Sequence, residues 1–182
     1  GVRSTFIVPK TGKWYWEVSP TSFTSSNATL ASFGLGTVGA ILESGPGISS
    51  TIIWYVRIGS SPTSKIYNGT TAVSNPTAYA QGDILQVAYD ADSGKLWFGK
   101  NNSWIDSSGG TTGNPSGGTN QSLTVTSGTT YFPFLGLYTS GGSIVWTGTF
   151  GQKTFSYTPP TGFKALNTTN LPEPSIVQPN KY

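Results

Sequence analysis

The sequence predicts an all-β protein, a two-sheet antiparallel β-sandwich, from three observations. Apolar and polar residues alternate with period two along most of the chain, no stretch of ten or more residues has helical spacing, and the breaks carry tight-turn chemistry. The first clear strand is 13–18, where Trp14, Trp16 and Val18 share one face and Tyr15 and Glu17 the other. Its tryptophan face is expected to be core. Further strands are expected at 31–37, 51–57, 65–67, 83–90, 95–100, 131–138 and 143–150. Asn68-Gly69 is suited to positive φ at both positions, Asp92-Ser93-Gly94 ends in a glycine, and Gly141-Gly142 is permissive, so these breaks read as hairpin connections. Hairpins join antiparallel neighbours, which gives sheets with one face packed and the other wet.

Two segments depart from this pattern. Residues 106–121 are Gly, Ser, Thr and Asn with almost nothing apolar, which predicts a mobile surface loop that adds nothing to the core. From Pro159-Pro160 to Tyr182 the proline spacing forbids regular pairing, so 1–158 reads as the sandwich and 159–182 as a strap or linker.

Composition limits what the chain can be. At 182 residues it is one domain, able to bury roughly 70% of the surface its unfolded chain exposes. No disulfide is needed, in keeping with the absence of cysteine, which leaves the redox compartment open. Charged residues are 9% of the chain, against roughly 25% in ordinary domains, so the surface is rich in hydroxyls and amides and weakly repulsive. That suits a chain living in an assembly or at low free concentration. The net charge of +3 is scattered, with no basic run to grip phosphates, so no nucleic-acid partner is expected. No apolar run approaches 18 residues, and no membrane insertion is expected. The chain starts at Gly1 and holds no methionine, so it is expected to be a piece of something longer, its oligomerisation residing in the missing domains.

Without histidine or cysteine, Ser-His-Asp triads, Cys-His dyads and the usual zinc sites are excluded. A glycosidase would need two carboxylates facing across a cleft, and the acids are only Glu17, Glu43, Asp83, Asp90, Asp92, Asp106 and Glu173. Glu17 beside Trp16 and Asp83 at a strand start are expected to satisfy backbone amides or pair a lysine. Asp90-x-Asp92-x-Gly94 resembles the opening of a calcium loop, but the twelfth position, where a bidentate Glu is required, is Asn101. A hairpin turn with Asp side chains on backbone amides is expected there instead. No catalytic residue, cofactor or metal is expected.

Trp14, Trp16, Trp97 and Trp146 alternate with polar residues on strands and are expected in the core. Trp104 differs, because it stands at the mouth of the polar loop beside Asn101, Asn102 and Asp106. An indole among amides suits a sugar, the ring stacking on C–H faces while the amides bond hydroxyls; a plain anchor for the loop is the alternative. Arg57, after Trp54-Tyr55, and Tyr138, closing its strand, complete the candidate ligand-binding residues. Asn-x-Ser/Thr sequons at Asn27, Asn68, Asn101, Asn120 and Asn167 matter only in a glycosylating secretory pathway.

Four motifs resemble those of SPRY domains and follow the family's order over about residues 12–157. They are Gly12-Lys13-Trp14-Tyr15-Trp16-Glu17-Val18; Gly34-Leu35-Gly36-Thr37; Gly82-Asp83-Ile84-Leu85-Gln86-Val87-Ala88-Tyr89-Asp90 leading to Lys95-Leu96-Trp97-Phe98; and Phe150-Gly151-Gln152-Lys153-Thr154-Phe155-Ser156-Tyr157, similar to the family's final strand. Leu85-Gln86 stands where many relatives carry a glycine, and Asn101-Asn102-Ser103-Trp104 replaces the usual Asn-Gly. The tail, with Gly162-Phe163-Lys164-Ala165-Leu166-Asn167 and Leu171-Pro172-Glu173-Pro174, resembles the extension after SPRY domains in bacteriophage and environmental-virus structural proteins. The resemblance implies a bent, concanavalin A-like sandwich whose loops at one end bind protein ligands, without catalysis. The expected setting is a virion, as part of a tail fibre, tail or capsid contacting other virion proteins, a host-surface protein or a glycan. A lectin-like module and a cellular SPRY adaptor are the alternatives.

Overall fold

The computed structural model describes residues 1–24, 29–40, 50–58, 63–69, 71–138 and 142–171. The loop after Arg57 (59–62), Gly141, Asn27 and residues 172–182 lie outside them. The strands are β1 (Val2–Arg3), β2 (Lys13–Thr24), β3 (Thr29–Gly36), β4 (Thr51–Ile58), β5 (Thr63–Asn68), β6 (Thr71–Ser74), β7 (Leu85–Asp90), β8 (Lys95–Lys100), β9 (Ser103–Trp104), β10 (Leu123–Thr124), β11 (Phe132–Tyr138), β12 (Ser143–Thr149) and β13 (Lys164–Ala165). There is no helix among the described residues.

One sheet has six strands in the order β1-β11-β3-β4-β5-β6. The other runs β10-β8-β7-β2-β12, with β9 added to β8 and β13 to β2. Among the described residues every pairing is antiparallel except that of β13, which lies parallel to β2. This is the expected two-sheet sandwich.

The core forms where the inward sides of both alternations meet. Trp14, Trp16 and Val18 of β2 face inward with Tyr89, Val87 and Leu85 of β7, their register partners. Phe33 reaches across from β3, meeting Phe98 of the other sheet edge-on with centroids 5.3 Å apart, and Tyr79 at 5.5 Å. Such pairs contribute about 0.5–1.5 kcal/mol each beyond their buried area. Two buried polar tips bond within the core, Trp54 Nε1 donating to Ser64 Oγ (2.7 Å) and the Tyr79 hydroxyl to the Ala31 carbonyl (2.7 Å), whereas Trp146 Nε1 is buried without a hydrogen-bond partner among the described residues. Gly34 is dictated by β4: a Cβ there would stand 2.1 Å from the Ile52 carbonyl oxygen.

Several expectations are corrected. The seven-stranded sheet has no wet face along its centre, since all six residues of β7 are buried and Tyr15 and Glu17 are as buried as the neighbouring tryptophans. Trp97 is fully buried, but outside the intersheet core, in a second cluster with Tyr15, Ala88 and Phe163. That cluster forms because residues 155–166 fold over the sheet's outer face, with Phe155 edge-on to Tyr15 (4.9 Å) and Phe163 edge-on to Trp97 (6.1 Å). The stretch after Pro159 therefore includes regular pairing: Lys164 and Ala165 align with Trp14 and Tyr15. Residues 150–157 are not a strand, because the amides of Ser156 and Tyr157 bond the Glu17 carboxylate instead of a neighbouring backbone. In the β5–β6 connection Asn68 is the last strand residue, paired with Thr71, and Gly69 takes the positive φ of 72°.

Candidate functional site

A notch of about 210 Å³ opens beside the outer face of the seven-stranded sheet. It is lined by Asn102 and Trp104 of the β8–β9 hairpin, by residues 113–116 of the polar loop, and by residues 158–161 of the covering segment.

The hairpin places the indole. Asn101 and Asn102 have φ of 50° and 67°, both left-handed, as a two-residue turn of the I′ pattern requires. Two asparagines thus make the turn that an Asn-Gly pair would make. Trp104 pairs with Gly99, where a Cβ would stand 2.9 Å from Trp104 Cε3, so only a glycine lets the ring settle on the strand. The ring is half-buried and meets Tyr15 edge-on at 6.4 Å.

The loop forming one rim is knit together, contrary to the expectation of a mobile segment. Asp106 organises it. One carboxylate oxygen accepts from Ser108 N (2.8 Å), Ser108 Oγ (2.6 Å) and Gly110 N (3.0 Å), the other from Thr112 N (3.2 Å) and Thr112 Oγ1 (2.7 Å). The bonds from the Ser108 and Thr112 side chains, helped by their amides, hold the Asp106 carboxyl well below the usual carboxylate range. Asn114 and Thr119 bridge each other, and the loop is pinned to the sheet by Trp97 Nε1 and Lys95 Nζ, which donate to the carbonyls of Thr119 (2.9 Å) and Gly118 (2.7 Å).

The other rim is pinned from beneath. Ser156 N and Tyr157 N donate to Glu17 at 2.8 and 2.9 Å, the Tyr15 hydroxyl donates to Glu17 Oε1 (2.7 Å), and Gln86 Nε2 donates to the Tyr15 hydroxyl (3.0 Å). Gln86 Oε1 in turn accepts from Asn102 N at 2.6 Å. A buried polar chain thus runs from the covering segment through Glu17, Tyr15 and Gln86 to the β8–β9 hairpin. Burial, with smaller contributions from Glu17, drives the Tyr15 phenol far above its ordinary range. The rims also touch directly, Thr161 N donating to Ser116 Oγ (3.0 Å). No lining side chain is ionisable.

Of the six sequence candidates, the structure brings Asn102 and Trp104 into the notch. The Asn101 amide is spent internally, accepting from Ile84 N (2.9 Å) and donating to Asp83 Oδ1 (2.7 Å), and Asp106 is spent on its loop. Arg57 and Tyr138 belong to the other sheet, where both flank Leu30 in register; Tyr138 is 52% exposed. Asn114, Ser116, Thr158 and Thr161 were not visible as site residues. Their only signal is a run of amides and hydroxyls, which says nothing of where the chain returns. Asp83, Asp90 and Asp92 bond backbone amides, as expected of turn residues.

No protein-family model matches the chain, and no curated protein does at a significant level. Among solved structures, the fold is similar to the SPRY domain of human HERC1, with a TM-score of 0.56, 14% sequence identity, and coverage of 84% of this chain and 82% of that one. The chain therefore carries a SPRY-like β-sandwich fold.

Proposed function

We propose that this chain is a non-enzymatic protein-interaction module that engages its partner through the Trp104 notch. The carrying observation is an indole held between two irregular segments in a recess with no ionisable side chain. At about 210 Å³ the recess is below the roughly 300–1,000 Å³ of small-molecule sites, so it suits one inserted side chain or ring better than an enclosed substrate. Tryptophan is among the residues that dominate interface energetics. The SPRY-like fold supports a protein partner, and the low charge together with the tail's resemblance supports a virion setting.

The test places a photo-crosslinking residue at Asn114, on the exposed rim, in the presence of source lysate. Partner adducts that vanish in Trp104→Ala while the fold is retained support the proposal; adducts indifferent to Trp104, or none, overturn it. Mass spectrometry of purified source particles tests the setting, and absence of the chain from them removes the virion role.

A second ligand class is favoured by one observation, the indole lying among hydroxyls and amides without charge. A neutral glycan matches that chemistry. Binding on a glycan array, lost in Trp104→Ala, would favour it over a protein partner.

A further inference from the structure

Sheet edges are open templates for another strand, and proteins blunt them with brevity, charge, proline or bulges. Among the described residues three of the four outer edges are short: β1, β6 and β10 have two, four and two residues. The fourth, β12, is seven residues long and reads Ser-Ile-Val-Trp-Thr-Gly-Thr, without a charge or a proline. The register shift beside it puts the extra residue, Thr21, on β2, so β12 itself stays regular. Among the described residues β12 pairs on one side only, with β2.

The outward backbone groups can be assigned. The Val145 carbonyl accepts from Thr21 Oγ1 of β2 at 3.2 Å, so the Val145 backbone faces inward along the sheet. Alternation turns the N–H and C=O of Ile144, Trp146 and Gly148 to the free side. Gln152 Nε2 donates to the Gly148 carbonyl (2.9 Å) and closes that end, leaving Ile144 and Trp146 as the open pair. Beneath the edge lies an apolar groove of about 450 Å³, lined by Val2, Leu135, Leu137, Ile144, Val145 and Trp146. Val145 is 55% exposed.

We infer that β12 is the seam of a two-fold dimer, pairing antiparallel with β12 of a second copy so that Ile144 bonds Trp146 of the partner copy and the two Val145 residues face each other on the axis. A second copy fits for three reasons. The open groups at 144 and 146 are spaced symmetrically about 145, so one strand satisfies its own copy. No charge lies on the seam, and a net +3 per chain opposes association only weakly. The pairing uses the same surface twice and is closed, and the edges it leaves, β1, β6 and β10, are the short ones.

The register makes a sharp test, helped by the absence of cysteine from the chain. Facing residues in a non-hydrogen-bonded antiparallel pair have Cα atoms about 4.5 Å apart, within the roughly 4.4–6.8 Å that a disulfide spans. Val145→Cys is therefore expected to form a disulfide-linked dimer on mild oxidation. Thr147→Cys is not, because its own copy lies about four residues along the strand, roughly 14 Å away at about 3.4 Å per residue. Sedimentation of the unmodified full chain should show a dimer, and Val145→Lys, which sets two ammonium groups face to face, should lose it with the circular dichroism unchanged. Val38→Lys, exposed and outside both β12 and the groove lining, should leave it intact. A monomer at all concentrations overturns the inference, as does a dimer untouched by Val145→Lys, equal cross-linking at 145 and 147, or growth into open polymers.

Discussion

Tyr15 and Glu17 lie two residues apart on the outward side of β2, and the Tyr15 hydroxyl donates to Glu17 Oε1 at 2.7 Å while the same carboxylate holds the amides of Ser156 and Tyr157. Glu17 is only 3% exposed, so each of these donors loses its single partner if the carboxylate changes. Glu17→Gln puts an N–H₂ group among three donors and is expected to cost about 1–3 kcal/mol. Amide hydrogen exchange should quicken at Ser156 and Tyr157 more than in β7. Unchanged protection there would contradict the assigned bonds.

Gly99 sets the height of the Trp104 indole. Gly99→Ala brings a methyl to 2.9 Å from the ring and 3.2 Å from Gln86 Oε1, so both must shift. The expected cost is about 1–3 kcal/mol, with weaker partner binding although Trp104 is still present. Thermal unfolding and the Asn114 crosslink read the two effects separately.

Acid should loosen the polar loop through Asp106. Its folded carboxyl ionises well below the usual range, so its contribution to stability is complete above the ordinary aspartate value near ~3.9 and is lost as pH falls through the lower folded value. Urea midpoints measured from neutral pH down into strong acid should fall for the wild type below about pH 4. In Asp106→Ala that fall should be smaller, from a lower starting stability.

Alkali acts through buried phenols. Burial, foremost, pushes Tyr55 and Tyr89 up to about 12, and Tyr15, Tyr79 and Tyr131 are also raised. The folded values lie above the unfolded one, so this stabilisation is complete below about pH 10 and drains away as pH climbs toward the folded values. Ultraviolet titration of the folded chain near pH 10 should therefore leave Tyr15, Tyr55, Tyr79 and Tyr89 protonated. All nine tyrosines ionising together there would refute the packing.

The eight longer strands were legible because alternation needs only local residue order: Trp14-Tyr15-Trp16 announces an indole side wherever its partner lies. The two-residue strands were not, since β9 and β13 exist only through Gly99 and through Trp14 and Tyr15, which supply the register. Trp97 shows the same limit. Its spacing matches that of Trp16, yet one ring meets the opposite sheet and the other a returning segment whose sequence carries no period. In the candidate site, Trp104 stood out as an aromatic at the mouth of a polar stretch, whereas Thr158 and Thr161 became neighbours of Ser116 through a fold-back that residue order does not encode. Asp106 looked available because its loop is polar; the same polarity supplies the donors that occupy it.

The closure of residues 155–166 over Tyr15 and Trp97 orders events during synthesis. As the chain leaves the ribosome, β2, β7 and β8 can pair long before their lid has been translated, exposing an aromatic surface in the interval. Chaperone capture should peak on nascent chains that have passed β8 but not yet reached Phe163, and end abruptly once that ring emerges.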